Sequence, residues 1–372
     1  MLRVAVDGEP LLGRRTGVGN FCHGLIEGLA AFGPPGGHPL DVGVYAVTWR
    51  MRPELARRLP AGAHLVGRPM PARPFRAVWS AGVALPIEWF TGPVDVVHGT
   101  NSIVPPTRRA AQVVTVHDLS PLHYPEMCEP ETRVYPEFIQ RAVARGAWVH
   151  TDSQFVADEV VEAFRVPPER VRVIHPGVPL LPEGGNAPDL GVGRYVLAVG
   201  TIEPRKDYPG LVRAFDALAA DRPDVGLVIV GADAWGGDEF AGAVVAAAHR
   251  DRILRPGYLA DADLAALIRG AAVLAYPSTY EGFGFPPLQA MAAGVPVVAT
   301  AAGSVPEVVG PAAVTVPVGD ADAMAGALAR LLDDREAAAA QSEMGRARAA
   351  TFSWAALAAG MAQLYEDAAQ ST

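Results

Sequence analysis

Lysine and cysteine are nearly absent from this sequence. Lys206 is the single lysine, so arginine supplies all the other basic side chains. The two cysteines, Cys22 and Cys128, stand far apart, and their spacing supports neither a disulfide framework nor a zinc site. Charge, Gly or Pro interrupts every apolar run before about 18 residues, which argues against a transmembrane helix. The net charge of -9 argues against nucleic-acid binding, which usually goes with a basic domain.

The length and composition suit a folded protein of two domains. The chain has 372 residues, of which 50% are hydrophobic and 19% are charged, and this is enough apolar material for two cores of ordinary size. Its first residues, "MLRVAVDGEP", already have the pattern of a strand, with no charged-then-apolar leader before them. We therefore expect a cytoplasmic protein.

Short β-branched runs alternate with Ala- and Leu-rich helical patterns along the whole chain, which is typical of parallel sheets covered by helices. Residues 176–193 are rich in Pro and Gly and lack periodicity, so we expect a linker there. The sequence thus predicts an α/β protein with two Rossmann-like, doubly wound domains that face a cleft. We place these domains at residues 1–180 and 190–352, with an amphipathic helix over 353–372 that packs back on the first domain.

The segment "VGTIEPRKD" (199–207) places two adjacent cations beside a turn. The preceding strand ends at Gly200 and a helix starts near Asp207, so Arg205 and Lys206 lie at the carboxyl edge of a parallel sheet, where ligands bind. Two cations and the free amides of a helix N-terminus predict a diphosphate site. A solvated loop with two surface charges is the alternative.

A second segment, "YPSTYEGFGFPPLQ" (276–289), follows a predicted buried strand. Its Glu281 can accept hydrogen bonds from ligand hydroxyls, and Gln289 lies about one turn into the next helix, so both side chains can face one cavity. The glycines after Glu281 let the backbone approach a ligand closely. The alternative is a turn with a surface acid. The residues of this loop that we assign to ligand binding are Gly282, Phe283 and Gly284.

The first predicted domain carries weaker signals at its strand ends. Gly17 and Gly19 form a glycine-rich turn before a helix, without the third glycine of a dinucleotide fingerprint, and can bring the helix N-terminus close to a phosphate or an acceptor. His117 and Asp118 follow one strand, and Asn101 follows a neighbouring one. A histidine in such a place is more often structural than catalytic.

The segment from Arg50 to Arg76 is basic in an otherwise acidic chain, with Glu54 as its only acid. It predicts peripheral contact with an anionic membrane face, or with an anionic acceptor. A solvated surface in an arginine-biased chain is the alternative. The arginines of this segment are Arg50, Arg52, Arg57, Arg58, Arg68, Arg73 and Arg76.

Taken together, these segments resemble the retaining glycosyltransferases of family 4, which have the GT-B fold, and within them a mannosyltransferase-like group. The resemblance covers nearly the whole chain, and its order and spacing are more specific than any one segment. The segments that carry it are "TGVGNF", "HGTN", "TVHDLSPLHYPE", "VGTIEPRKD", "RPGYLADADLAALIRGA", "YPSTYEGFGFPPLQAMAAGVPVV" and "GSVPEVVG".

The resemblance implies a metal-independent hexosyltransferase with no cofactor besides its donor, a GDP- or UDP-linked sugar. Arg205 and Lys206 would hold the donor diphosphate, and Glu281 with the loop after it would bind the sugar. His117 would lie beside that sugar. Tyr258 and Leu259 would meet the base.

The first domain would then bind the acceptor, which we expect to be a glycan, a glycolipid or a small natural product. Gly17 and Gly19 would lie near the phosphates or the acceptor. Asn101 and Asp118 are assigned to the acceptor side. The sequence does not indicate an oligomeric state, and we expect no nucleic-acid partner.

The chain departs from the family pattern at Gln289, where a glutamate usually binds the ribose hydroxyls. An amide forms no charge-assisted bond, which would cost about 1–2 kcal/mol or reflect a different nucleotide. Asp207 likewise replaces a more usual asparagine. Three alternatives stay open: a nucleotide-sugar epimerase, a phosphorylase, and a degenerate transferase kept as a binding subunit.

Overall fold

The computed structural model describes residues 1–14, 16–32, 40–80 and 82–371. The chain divides into two compact units. The first unit comprises Met1–Gly177 and Phe352–Thr372, and the second comprises Val178–Thr351. The boundary near 177 lies inside the segment that is rich in Pro and Gly.

The first unit contains a parallel sheet of seven strands in the order β3-β2-β1-β4-β5-β6-β7. From β1 the chain adds β2 and β3 on one side and then β4 to β7 on the other, so the order of strands switches between β1 and β4, as in doubly wound folds. The central strands are buried along their whole length because helices cover both faces. The strands are β1 (Leu2–Asp7), β2 (Leu40–Tyr45), β3 (His64–Leu65), β4 (Val96–Gly99), β5 (Ala111–Val116), β6 (Trp148–Thr151) and β7 (Val171–Val173).

Helices connect these strands. Helices α1, α6 and α7 have apolar faces on the sheet. Two of the helices between β2 and β5 have no more than seven residues, which is too few for a clear periodic pattern in the sequence. The α-helices are α1 (Gly17–Phe32), α2 (Arg52–Arg58), α3 (Ala72–Ser80), α4 (Glu88–Thr91), α5 (Ser120–His123), α6 (Tyr135–Ala144) and α7 (Gln154–Phe164).

The second unit repeats this architecture with a six-stranded parallel sheet in the order β10-β9-β8-β11-β12-β13. Its reversal lies between β8 and β11. Pro256 falls in an edge strand, where the missing amide donor costs no ladder bond. The strands are β8 (Arg194–Val199), β9 (Val225–Val230), β10 (Ile253–Gly257), β11 (Val273–Tyr276), β12 (Val297–Thr300) and β13 (Val314–Val316).

The helices of the second unit agree closely with the apolar periodicity of the sequence. Several begin at a side-chain cap, such as Asp320, which accepts from the Ala323 amide at 2.9 Å. The α-helices are α8 (Tyr208–Ala219), α9 (Gly237–Ala246), α10 (Asp261–Gly270), α11 (Phe285–Ala293), α12 (Val305–Val309), α13 (Ala321–Asp333) and α14 (Arg335–Ala349).

The last helix, α15 (Trp354–Gln370), belongs to the first unit. Ser353 caps it by accepting from the Ala356 amide at 3.1 Å. The helix packs on α1 at Gly24, where a Cβ would lie 2.4 Å from the Trp354 ring. Tyr365, in the same helix, is fully buried and hydrogen-bonds to His98 of β4 at 2.8 Å.

The predicted fold class is confirmed, because both units are parallel α/β sheets of Rossmann type. Among the described residues, no helix combines the length and the apolar character that crossing a bilayer requires. Both cysteines are buried, and they form no disulfide with each other.

Candidate active site

The two conspicuous segments of the second unit follow neighbouring strands. Residues 200–207 follow β8 and residues 277–284 follow β11, and these strands pair in parallel through Val273 and Val196. They are also the strands between which the sheet order reverses. Because the chain leaves them toward opposite sides, a crevice opens at their carboxyl ends, and this is where doubly wound sheets bind ligands.

The loop after β8 is shaped by a short 3-10 helix, Pro204–Lys206. Asp207 then takes a left-handed backbone conformation, with φ 41°, and caps α8 by accepting from the Gly210 amide at 2.9 Å. Asn and Asp tolerate this conformation better than other non-glycine residues. The unusual Asp207 therefore keeps the cap and turn that an asparagine would provide.

Arg205 lies between two carboxylates. Its Nη2 donates to Glu203 Oε1 at 2.6 Å, and its Nη1 donates to Glu281 Oε2 at 2.9 Å and to the Tyr280 carbonyl at 2.8 Å. The carbonyl of Arg205 in turn accepts from the Thr279 amide at 2.8 Å. Both the side chain and the backbone of Arg205 are thus fixed to the loop after β11.

Lys206 is 9% exposed, which is low for a lysine. Its ammonium donates to Glu281 Oε1 and lies 3.4 Å from the hydroxyl of Tyr276. The same ammonium lies 5.3 Å from the centre of the Tyr276 ring, within the range of cation–π attraction. We call Glu203, Arg205, Lys206 and Glu281 the charge cluster.

Glu281 is ionised in this cluster. Burial alone would raise the pKa of its carboxyl, but the charges of Lys206 and Arg205 outweigh burial and lower that pKa to about 2. Burial and the negative charge of Glu281 together raise the pKa of Tyr276 well above its ordinary value, so that hydroxyl keeps its proton. The four members of the charge cluster therefore have formal charges that cancel.

The backbone around Glu281 is held by the loop after β12. The Ser304 amide and hydroxyl donate to the Glu281 carbonyl at 2.9 and 3.0 Å. Gly303 has φ +54°, and a Cβ there would lie 2.3 Å from the same carbonyl oxygen. Gly284 has φ +110° and begins α11. These contacts fix the loop that contains Gly282 and Phe283.

The residues assigned to the nucleoside lie on two further elements. Gln289 is partly buried on α11, and its amide has no hydrogen-bond partner among the described residues. Tyr258 and Leu259 follow β10 directly, beside the end of β9, and Tyr258 is exposed. The Gly231 amide donates to the Gly257 carbonyl at 3.2 Å, which holds these two strand ends together.

His117 of the first unit is engaged at both ring nitrogens. Its Nδ1 lies 2.5 Å from Asp152 Oδ2, and its Nε2 lies 2.9 Å from the Thr100 carbonyl. Both partners accept hydrogen bonds, so this arrangement favours the imidazolium form, in which the ring donates from both nitrogens. Burial alone would lower the pKa of His117, but Asp152 and the Thr100 carbonyl outweigh it and raise that pKa.

The other predicted residues of the first unit have mostly local roles. Asp118 Oδ1 accepts from the Ser120 amide and hydroxyl at 2.9 and 2.6 Å. The side chain of Asn101 is partly buried and has no hydrogen-bond partner in the described part of the chain. Gly17 and Gly19 form the first turn of α1. The residues that line a cavity of about 200 Å³ at this turn are Pro10, Leu11, Gly19 and Arg58.

Two arginines of the basic segment are bound to other groups of the first unit. Arg52 donates to the Val66 carbonyl at 3.3 Å, and Arg58 donates to the Leu11 carbonyl at 2.6 Å and pairs with Glu54. Arg50, Arg57 and Arg68 have no ion-pair partner among the described residues, and the side chains of Arg73 and Arg76 lie outside them. Peripheral membrane contact through this segment stays a prediction.

Sequence reasoning missed three members of these sites. Glu203 was overlooked although an acid two positions before an arginine is a visible signal. Asp152 follows β6 and is distant in sequence from His117, and Ser304 follows β12. Only the order of the strands in each sheet shows that these residues lie close to the sites. No group of three His, Cys, Asp or Glu side chains suited to a metal ion occurs within the described ranges.

Comparison with known families gives two matches that together cover both units. The model described as "Glycosyltransferase Family 4" matches residues 15–180. The model described as "Glycosyl transferases group 1" matches residues 191–348.

Among curated proteins, the chain is similar to O-antigen chain mannosyltransferase B of Escherichia coli, with 34% identity over 70% of this chain and 71% of that protein. It is also 34% identical to the MMP alpha-(1->4)-mannosyltransferase of Mycolicibacterium hassiacum, over 59% of this chain and 53% of the relative. The D-inositol 3-phosphate glycosyltransferase of Thermobispora bispora is 32% identical over 64% and 60%. For the latter two, the chain thus spans little more than half of the relative's length.

Solved structures share the fold at low sequence identity. Anabaena HepE, in complex with UDP and glucose, has a TM-score of 0.73 at 17% identity and covers 99% of this chain and 100% of its own. A sucrose-phosphate synthase from Thermosynechococcus elongatus has a TM-score of 0.72 at 21% identity, with both chains covered fully. WaaG, described as involved in lipopolysaccharide biosynthesis, has a TM-score of 0.70 at 18% identity over 97% of this chain and 99% of its own.

Proposed function

The chain belongs to glycosyltransferase family 4 and has the GT-B fold, and from that premise we propose that it transfers a hexose-type sugar from a nucleoside-diphosphate sugar to a hydroxyl acceptor, with retention at the anomeric carbon. The observation that carries this proposal is the charge cluster. It joins two cations and two carboxylates at the carboxyl ends of β8 and β11, where the sheet order reverses.

In the proposed reaction the bond between sugar and phosphate breaks while negative charge grows on the leaving diphosphate. Arg205 and Lys206 stabilise that growing charge more than they stabilise the ground state, which is the differential binding that catalysis requires. Both cations are already fixed by hydrogen bonds, so little reorganisation accompanies the reaction. On this proposal, these two residues do the work that a metal ion does in other transferases.

The acceptor's proton goes to the leaving phosphate in this proposal, and the acceptor oxygen attacks from the face that the phosphate leaves. The state of His117 supports such a path, because neither ring nitrogen is free to act as a general base. In its protonated form, which Asp152 and the Thr100 carbonyl favour, His117 instead contributes a positive charge at the carboxyl end of β5. The acceptor binds to the first unit, where Asn101 offers an amide without a partner in the described part of the chain.

The donor class is supported by the structure of HepE with UDP and glucose, and the mannosyltransferase relatives make GDP-linked mannose an equal candidate. We place the base near Tyr258 and Leu259 and the ribose near Gln289. The acceptor is a glycan, a glycolipid or a small natural product. The side-chain amide of Gln289 can donate one hydrogen bond to a ribose hydroxyl and accept another.

The experiment that tests the proposal measures the melting temperature with UDP, GDP and their sugar conjugates, because a ligand that binds the folded chain raises it. One nucleoside diphosphate should stabilise the wild type, and Lys206→Ala should weaken this effect and lower turnover by about 100-fold or more. The exposed Arg330→Ala serves as a matched control for loss of one positive charge. A chain that binds no nucleoside diphosphate is the degenerate subunit, and one that converts the donor without an acceptor is the epimerase.

A further inference from the structure

Glu203 is the one member of the charge cluster without a role in the proposed reaction. Its side chain is 8% exposed, and its Oε1 accepts from Arg205 Nη2 at 2.6 Å. Glu203 stands at the N-terminal end of the 3-10 helix Pro204–Lys206, yet its side chain accepts no hydrogen bond from a backbone amide of that helix. A local capping role therefore does not account for this buried carboxylate.

Burying a carboxylate is costly unless a partner compensates for the lost hydration. Here the partner is Arg205, and the pair is nearly dry, since the guanidinium side chain is itself only 15% exposed. The other end of the same guanidinium, Nη1, is held by Glu281 and the Tyr280 carbonyl. Arg205 therefore keeps two of its acceptors, at Nη1, if the bond to Glu203 is lost, but the orientation of Nη2 is no longer fixed.

Two cations and two carboxylates leave the charge cluster with no net charge to offer to an anionic ligand. A diphosphate that arrives there is attracted by Arg205 and Lys206 and repelled by Glu203 and Glu281. Glu281 has a further use in the proposed reaction, as a ligand of the sugar. Glu203 contributes only its attraction for Arg205 and its repulsion of the incoming anion.

We propose that Glu203 is a positioning residue that orients Arg205 and also limits how tightly the site holds a nucleoside diphosphate, so that the product can leave. This inference rests on the proposed function. A site with unopposed cations would bind the free diphosphate strongly and release it slowly, and product release limits turnover in many transferases with tightly bound products. Glu203 thus weakens the binding of the diphosphate product and makes its release faster.

Two variants separate orientation from charge. Glu203→Gln removes the charge but keeps an oxygen that accepts from Arg205 Nη2, whereas Glu203→Ala removes both. The matched control is Glu343→Gln, the same chemical change on the exposed face of α14. Calorimetry with UDP and with GDP, on the full chain, gives the Kd of the free diphosphate for each protein.

Glu203→Gln is expected to lower the Kd of the bound diphosphate at least about fivefold. One unit charge removed within about 8 Å of the phosphates has that effect even at an effective dielectric constant of about 40. Its KM for the donor and its kcat should both fall, since release becomes slower. Glu203→Ala should also bind the diphosphate more tightly, but it should lose more kcat than the Gln variant, because Arg205 loses an orienting acceptor. Glu343→Gln should match the wild type.

The outcomes distinguish this inference from the proposed function. A wild type that binds neither UDP nor GDP overturns both. A wild type that binds, together with a Glu203→Gln variant whose Kd is unchanged or higher, overturns the role of Glu203 alone. If Glu203→Gln does not fold, Glu203→Ala provides the test of charge. Loss of folding in both variants, but not in Glu343→Gln, assigns Glu203 to stability only and also overturns the proposal.

Discussion

Replacing Glu281 by glutamine tests the electrostatics of the charge cluster in the absence of any ligand. The amide has the size of the carboxyl group but no charge, so it resembles the protonated state of Glu281. At neutral pH the variant leaves Arg205 and Lys206 without their shared carboxylate. At low pH the wild type approaches the same condition by protonation. We therefore expect the variant to be less stable than the wild type at neutral pH and to approach it in acid.

The expected size follows from the pKa of Glu281. A value of about 2 in the folded chain, against about 4.5 in an unfolded one, corresponds to about 3 kcal/mol of stability at pH 7. Because the folded-state pKa is the lower one, this contribution is complete above pH 4.5 and is lost as the pH falls toward 2. At pH 3 about half of it remains. The group is buried, so solvent screening takes little from this value.

Unfolding of the second unit must be measured separately, because a two-unit chain has no single unfolding free energy. Urea titrations read by hydrogen-exchange mass spectrometry of peptides from β8 and β11 provide this measurement. The difference between wild type and Glu281→Gln should shrink by about half from pH 7 to pH 3. An equal difference at both pH values would refute the reasoning, because packing rather than charge would then account for the loss.

Two further predictions concern the contacts that support the sites. Asp152→Asn should destabilise the first unit more at pH 6 than at pH 9, as measured by urea unfolding. The pKa of His117 is raised in the folded chain, so its charged form stabilises the fold fully below about pH 6.5, and this effect is lost as the pH rises through the folded-state pKa. Equal losses of stability at the two pH values would contradict a charged His117 paired with Asp152. Gly303→Ala should lower the free energy of unfolding by about 2–4 kcal/mol, because φ +54° and the Glu281 carbonyl both oppose a Cβ at this position. The control Gly242→Ala, in open space on α9, should cause no loss of stability. Similar melting temperatures of the two variants would refute this reasoning.

Much of the fold and part of the site could be predicted from the sequence because parallel sheets translate chain order into space. Buried strands were visible as β-branched runs, and the residues after them had to gather at one edge. This is why Arg205 and Glu281, which are distant in sequence, are found in one hydrogen-bonded group. The seven-stranded and six-stranded sheets both follow the order expected of doubly wound folds.

Pairing between side chains could not be predicted in the same way. The sequence assigned Arg205 and Lys206 to the diphosphate and Glu281 to the sugar, and nothing in their spacing indicated that they pair directly. The pairing of His117 with Asp152 depends on the rotamers of two buried side chains at neighbouring strand ends. Helices α2 and α4 were missed because a helix of one or two turns has too few residues for a periodic apolar pattern.

The position of α15 has a consequence for how the chain is made. Synthesis proceeds from the amino terminus, and domains generally fold as they emerge from the ribosome. The first unit, however, needs Trp354 against Gly24 and Tyr365 against His98, and these two helix residues are translated after the whole of the second unit. The second unit has all of its own residues available earlier. Synthesis of the first unit thus begins before that of the second unit and is completed after it.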